Sequence, residues 1–242
     1  MPRPALLLSL AVITLLAVFA ACGGDDDEDT SGGDQFNSSQ TAQVTQPPVT
    51  AAPTATSSNC PAPSGDAPEP NMKTFTEAPS EDTIDASKTY IATVETVRGT
   101  FKIKLRPDLA PKHVASFVFL ANEQYFDGVT FHRVLPGFVA QAGDPTGSGS
   151  GGPGYTIPAE FTTEVQYARG TVGMARTSDP NSAGSQWFIT YGPAANLDGA
   201  YTIFGEVTEG MDVVDCITPR DPSRNPNAAP GDKIISITIA ES

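Results

Sequence analysis

Around residues 100–105 the chain alternates apolar and polar side chains with the two-residue period of a half-buried strand. Phe101, Ile103 and Leu105 fall on one face and Thr100, Lys102 and Lys104 on the other. A β-rich run over 89–97 precedes them, with Arg98 and Gly99 between. The pattern predicts a hairpin with one buried face. The period then changes. Pro111 suits the first position of a helix, and Val114, Phe117, Val118 and Ala121 recur at the spacing of one helical face. Short apolar runs at 130–134, 137–141, 171–174, 186–190 and 201–207 predict further strands, and 211–217 a second helix. A last strand is expected over 233–240, with Ile235, Ile237 and Ile239 on one side. Short strands between Gly and Pro turns, with two helices, predict a mainly β domain, a barrel or a sandwich.

The first 86 residues lack this patterning. Apart from one apolar run they carry few large apolar side chains, too few to offset the entropy of ordering the chain. The run extends from Ala5 to Ala20, interrupted only by Ser9 and Thr14, after a single positive charge at Arg3. It reads as an export signal, and it is short for a membrane span. Ala20 and Ala21 then precede Cys22, which resembles the lipobox of bacterial lipoproteins, although Phe19 stands where an aliphatic residue is usual. That resemblance implies a signal peptide over 1–21, lipidation of Cys22, and an extracytoplasmic protein anchored to the cell membrane by lipid. Residues 22–86 are expected to be a disordered acidic, Pro-, Ser- and Thr-rich linker. Residues 87–242 are expected to be the folded domain.

Charge follows the same division. Of the 28 acidic residues, 12 lie between Gly23 and Ala86 against one Lys, a net of −11 there out of −14 overall. The folded part is only mildly acidic and offers no basic surface for nucleic acid. Asp25, Asp26, Asp27 and Asp29 lack the interleaved spacing of a calcium loop, so no metal or cofactor is expected. Cys60 and Cys216 remain. Outside the cytoplasm they are permitted to pair; a buried free Cys216 and an exposed Cys60 are the alternative.

Two segments carry the chemistry. Residues 131–144 read Phe-His-Arg-Val-Leu-Pro-Gly-Phe-Val-Ala-Gln-Ala-Gly-Asp, and residues 181–190 read Asn-Ser-Ala-Gly-Ser-Gln-Trp-Phe-Ile-Thr. In this order and at this distance the pair resembles the signature of the cyclophilin family of peptidyl-prolyl cis-trans isomerases, collinear from about Lys88 to the C-terminus. The resemblance implies a closed eight-stranded antiparallel barrel capped by two helices. It also implies a monomer acting on proline-containing polypeptides. Such a catalyst needs no nucleophile, metal or proton carrier, because rotation about an Xaa-Pro bond breaks only amide resonance. It needs an apolar pocket for the ring, a donor near the imide nitrogen, and polar groups along the adjacent backbone.

By resemblance Arg133 is the catalytic arginine, a cation that cannot deprotonate, and Gln141 assists it. Phe138, Val139, Phe188 and Leu197 form the proline pocket, with Tyr201 at its edge where a His is common. Gln186 hydrogen-bonds substrate and holds Arg133. Ala175 and Arg176 border the substrate backbone, and Ser182, Ala183 and Gly184 line a neighbouring pocket. Asn196 stands where many members carry a Trp whose indole binds cyclosporin, which implies weak cyclosporin binding. His132 and His113 accompany no nucleophile motif and read as structural or surface residues. The reading is an isomerase assisting exported proteins. Its rival is a non-catalytic module that holds proline-containing segments, and that rival would be expected to have lost at least one of these groups.

Overall fold

In the computed structural model, which describes residues 60–242, the alternation around Gly99 becomes a hairpin of β1 (Tyr90–Thr96) and β2 (Gly99–Leu105). Gly99 turns it with φ of +128°, a backbone conformation that a side chain disfavours. Phe101, Ile103 and Leu105 are buried as the alternation requires, and Lys104 is exposed. Helix α1 (Pro111–Asn122) starts on Pro111 and buries Val114, Phe117, Leu120 and Ala121. Its cap Ala110 offers no side-chain acceptor. Glu160 supplies one from outside, accepting from the Lys112 and His113 amides at 3.2 and 3.1 Å. That satisfies two of the donors a helix start leaves open.

The remaining strands are β3 (Arg133–Leu135), β4 (Val139–Ala142), β5 (Thr171–Met174), β6 (Trp187–Thr190), β7 (Ile203–Glu209) and β8 (Ile234–Glu241). The second helix, α2 (Met211–Asp215), precedes β8 and is shorter than the sequence pattern suggests. All pairings are antiparallel, in the order β3-β4-β6-β5-β7-β2-β1-β8.

This order corrects the expectation of a closed barrel. The sheet is open, a strongly curled half-barrel capped by the two helices, with β3 and β8 as its edges. The cause lies in β3. It has three residues, and its outer side is taken by another segment: Val134 donates to Arg220 O at 2.6 Å and Arg220 to Val134 O at 2.9 Å. Ahead of β3 the chain does reach β8, through the isolated bridge Thr130–Lys233 and the bonds of Gly128 N to Ile234 O, Ile234 N to Val129 O and Phe131 N to Asp232 O, but β3 itself pairs with Arg220 and not with β8. A closed barrel would leave no edge; here a loop covers one instead.

The main core is aromatic. Phe117 lies 5.9 Å from Trp187, 5.1 Å from Phe126 and 5.3 Å from Phe204 between ring centroids, and Phe131 meets the Trp187 edge at 5.8 Å. Burial of each such side chain contributes about 1.5–3 kcal/mol. A second apolar cluster forms on the other side of the sheet from Leu135, Phe138, Val139, Tyr167, Ala175, Phe188, Leu197, Tyr201 and their neighbours.

From Cys60 onward the chain lies along the domain. Cys60 and Cys216 form a disulfide, Cα atoms 5.2 Å apart, which settles the pairing the sequence leaves open. Cys22, the apolar run and the acidic cluster at Asp25–Asp29 lie outside the described residues. Among the described residues, no helix is long and apolar enough to cross a membrane, and no cluster of ligating side chains could hold a metal.

Candidate functional site

Arg133 and Gln141 are direct partners across β3 and β4, and Gln141 in turn faces Phe188 on β6. Register therefore brings a cation, an amide and a phenyl ring together from three strands. Between β3 and β4 the chain turns through Gly137, at φ of +76°, with Phe138 N donating to Leu135 O at 2.9 Å. The turn folds the Phe138 ring back over the strand, so the Arg133 guanidinium carbon sits 6.0 Å from its centroid.

Arg133 is 6% exposed. Burial pulls its guanidinium below the ordinary value, and the neighbouring Asp221 and Tyr201 oppose that shift. Among the described residues no carboxylate forms a salt bridge with it. A desolvated cation without an ion pair is costly, and amides hold this one. Its Nη1 donates to Gln141 Oε1 at 3.4 Å, and Gln141 Nε2 donates to Gln186 Oε1 at 3.0 Å. Gln186 Nε2 donates to the carbonyls of Gly149 and Gly151 at 3.0 and 2.9 Å. Each amide orientation is fixed by the next partner, so the relay sets where the guanidinium points.

Asp144 shapes the loop that ends this relay. Its carboxylate accepts from Thr146 N and Oγ1, both at 2.8 Å, and from Gly149 N at 2.6 Å. Burial would raise its pKa, yet these hydrogen bonds together hold the carboxyl below its ordinary value. Sequence reading passed over Asp144, although an Asp two residues before a Thr and then a Gly-rich run signals a side-chain-capped turn.

The apolar wall is built around Phe188. Tyr167 stacks on it at 5.6 Å and Tyr201 meets it edge-on at 6.0 Å. Gly173 on β5 makes the stack possible. A Cβ there would fall 2.2 Å from Tyr167 Oη and 2.5 Å from Phe188 Cζ. Leu197 is fully buried beneath, and Val139 and Ala175 complete the cluster. Tyr167 was not expected from sequence; nothing in its local pattern distinguishes it from a core residue.

Beside this cluster lies a cavity of about 610 Å³, lined by residues 150–156 with Ala175, Thr177, Ser182, Gly184 and Gln186. Ser182 and Gly184 thus line a neighbouring pocket. Ala183 does not: it bridges Ile157 and packs into the main core. Arg176 lies at the rim, its guanidinium 4.5 Å from the Tyr201 centroid and 5.7 Å from Phe161. Its donors go to carbonyls, Nε and Nη2 to Ala200 O at 3.0 and 2.8 Å and Nη1 to Thr177 O at 2.8 Å. It fastens two loops together there.

The histidines stand apart. His132 points to the opposite strand face from Arg133, 1% exposed. Burial pulls its pKa down to about 4, with Asp144 opposing and Arg220 and Arg133 adding to the shift. It is neutral near pH 7. His113 Nδ1 lies 2.6 Å from Glu160 Oε2. Burial would raise the Glu160 carboxyl, but the hydrogen bonds from the His113 ring and the two amides hold it below its ordinary value. Both histidines serve the fold.

Comparison with known proteins agrees with this geometry. Residues 91–239 match the model of the family "Cyclophilin type peptidyl-prolyl cis-trans isomerase/CLD". A probable peptidyl-prolyl cis-trans isomerase of Brucella suis is 46% identical over 153 residues, covering 58% of this chain and 78% of that protein. A peptidyl-prolyl cis-trans isomerase of Synechococcus elongatus is 42% identical over 150 residues, covering 61% and 94%. Among solved structures, a cyclophilin type isomerase of Cryptosporidium parvum superposes with a TM-score of 0.58 at 33% identity, over 64% of this chain and 99% of that one. The same protein in the presence of the dipeptide Ala-Pro gives 0.57 at 34% identity, over 63% and 99%.

Proposed function

The chain belongs to the cyclophilin type peptidyl-prolyl cis-trans isomerases, and on that premise we propose how its residues divide the work and where it does it. The enzyme accelerates rotation about Xaa-Pro bonds, a barrier of about 18–20 kcal/mol when uncatalysed. At the half-turned geometry amide resonance is lost and the imide nitrogen becomes pyramidal and basic. Arg133 donates to that nitrogen. The cation is buried beside Phe138 and held by amides, so no reorganisation is required when the lone pair develops. A preorganised donor of this kind lowers a barrier by about 2–4 kcal/mol.

Phe138, Phe188, Leu197 and Tyr201 receive the proline ring, with Val139 and Ala175 behind them. Gln141 and Gln186 aim Arg133, and Gln141 offers its amide to the adjacent substrate backbone. Ser182 and Gly184 border the cavity that takes a neighbouring residue of the polypeptide. Arg176 acts at the rim by holding Ala200 and Tyr201. The observation that carries this reading is the Arg133–Gln141–Gln186 chain of hydrogen bonds ending on the Gly149 and Gly151 carbonyls. A protease-coupled assay on a short Xaa-Pro peptide tests it. Acceleration of the cis-to-trans step supports the enzyme; peptide binding without acceleration supports a holding module.

The clients in this reading are exported proteins folding near a membrane. The Cys60–Cys216 disulfide supports an oxidising compartment, and the apolar run ending at Cys22 supports export with a lipid anchor on that cysteine. Labelling with a radioactive fatty acid, with and without Cys22→Ala, tests the anchor: label lost in the variant supports it, and no label in either chain contradicts it.

A further inference from the structure

The family match begins at residue 91, yet the chain ahead of it is built into the domain. Cys60 is bonded to Cys216, just past α2. Arg98 Nη1 donates to Pro61 O at 2.9 Å and Ser64 N to Val97 O at 2.7 Å. The segment then crosses Gly128, whose φ is +76°, so closely that a Cβ there would lie 2.3 Å from Pro68 O. Lys233 pairs with Glu69, and Lys73 with Glu123. These pairs are largely exposed and contribute little.

Phe75 is the stronger anchor. Its ring meets Phe119 edge-on at 4.9 Å and lies 6.3 Å from Tyr125, partly buried against the main core. Its amide donates to Pro153 O at 2.7 Å. At Gly154, φ +95°, a Cβ would fall 2.6 Å from Phe75 O. The segment therefore ends on the 150–156 loop that lines the cavity, the loop whose Gly151 carbonyl holds Gln186. A second route runs from Tyr125, whose hydroxyl lies 3.2 Å from Ser185 Oγ; Ser185 precedes Gln186 and donates to Gly143 O at 2.6 Å.

We propose that residues 60–77 are a positioning strap, clamped at one end by the Cys60–Cys216 disulfide and at the other by Phe75, that holds the cavity loop against Gln186 and so fixes the aim of Arg133. The strap touches no substrate. It acts through the loop, as a buttress supplied from outside the family domain. An aromatic anchor and two close glycine approaches over-determine its path, whereas the loop it braces carries glycines at 151, 152 and 154 and is fastened from its other side by Tyr155, whose hydroxyl lies 2.8 Å from Ser116 Oγ.

The test uses the full chain with its disulfide formed. Phe75→Ala should lower kcat/KM on an Xaa-Pro peptide about tenfold, because small misplacement of a catalytic group is costly. Phe75→Leu should restore most of it. Ile239→Ala, which loosens a partly buried position of the core distant in sequence from the loop, should lower Tm with kcat/KM unchanged. Amide exchange supplies a readout independent of catalysis: in Phe75→Ala the Phe75 and Gly149 amides should lose protection together. If Phe75→Ala folds poorly, Cys60→Ser frees the other end and should raise exchange at the same two amides. Fast exchange at Phe75 with Gly149 and kcat/KM unaltered overturns the proposal. Loss of all activity in the parent chain would instead refute the isomerase reading on which the kinetic arm rests, leaving the exchange arm standing.

Discussion

Arg133 and Gln141 face each other across β3 and β4, with Nη1 and Oε1 3.4 Å apart and Gln141 tied at 3.0 Å to Gln186. The cation is aimed by amides, where a carboxylate would neutralise it. Gln141→Leu removes the acceptor but keeps the volume. It should lower kcat/KM by about 10- to 100-fold, as loss of an orienting group does, and lower stability by about 1–3 kcal/mol because Gln186 Oε1 loses its buried donor. Steady-state kinetics beside a thermal melt checks this; activity per folded molecule left intact would contradict it.

Gly173→Ala should fail differently. The added methyl meets Tyr167 Oη and the Phe188 ring at 2.2 and 2.5 Å, and overpacking of this kind costs about 1–3 kcal/mol. The Tyr167–Phe188 stack must open, so KM should rise along with the fall in Tm. A variant with wild-type KM would show that Phe188 does not form the ring pocket.

Acid should weaken the fold through His132. Its folded pKa, about 4, lies below the ordinary value of 6.5 because the ring is buried. The unfolded chain therefore binds a proton before the folded one does. Stability on this account is full above pH 6.5 and falls as pH drops toward 4, by about 3 kcal/mol in all. Denaturant midpoints measured across that window should drop, and His132→Leu should flatten the slope. An unchanged slope would remove His132 as the cause.

Cyclosporin should bind poorly. Asn196 sits exposed in the turn Ala195–Leu197, directly before the buried Leu197 of the pocket. Its short amide cannot supply an indole donor and face together. The dissociation constant should be weaker than about 1 µM, and Asn196→Trp should tighten it about tenfold, or by ~1.4 kcal/mol. Nanomolar binding by the unaltered chain contradicts this.

Much of the fold was legible because the strands alternate: Phe101, Ile103 and Leu105 had to face inward together. Closure was not legible. Whether the two edges meet depends on the Arg220 segment competing for Val134, a contact 86 residues away in sequence. Arg133, Gln141, Phe138 and Phe188 could be named as a group because they lie in two contiguous motifs. Asp144 and Tyr167 act through hydrogen bonding and stacking across loops, which a local pattern does not record. Ala183 shows the converse: it lies within a motif, and its backbone pairing with Ile157 turns it into the core.

The central claim is that one buried guanidinium stabilises the half-turned imide. Arg133→Ala and the unaltered chain should be compared on the same Xaa-Pro peptide, with catalysed exchange and equilibrium binding measured together by NMR. In the variant kcat/KM should fall by about 10²- to 10³-fold, the cost of losing a preorganised donor, with peptide affinity changed by no more than about 1 kcal/mol. Exchange as fast in the variant as in the parent would contradict it.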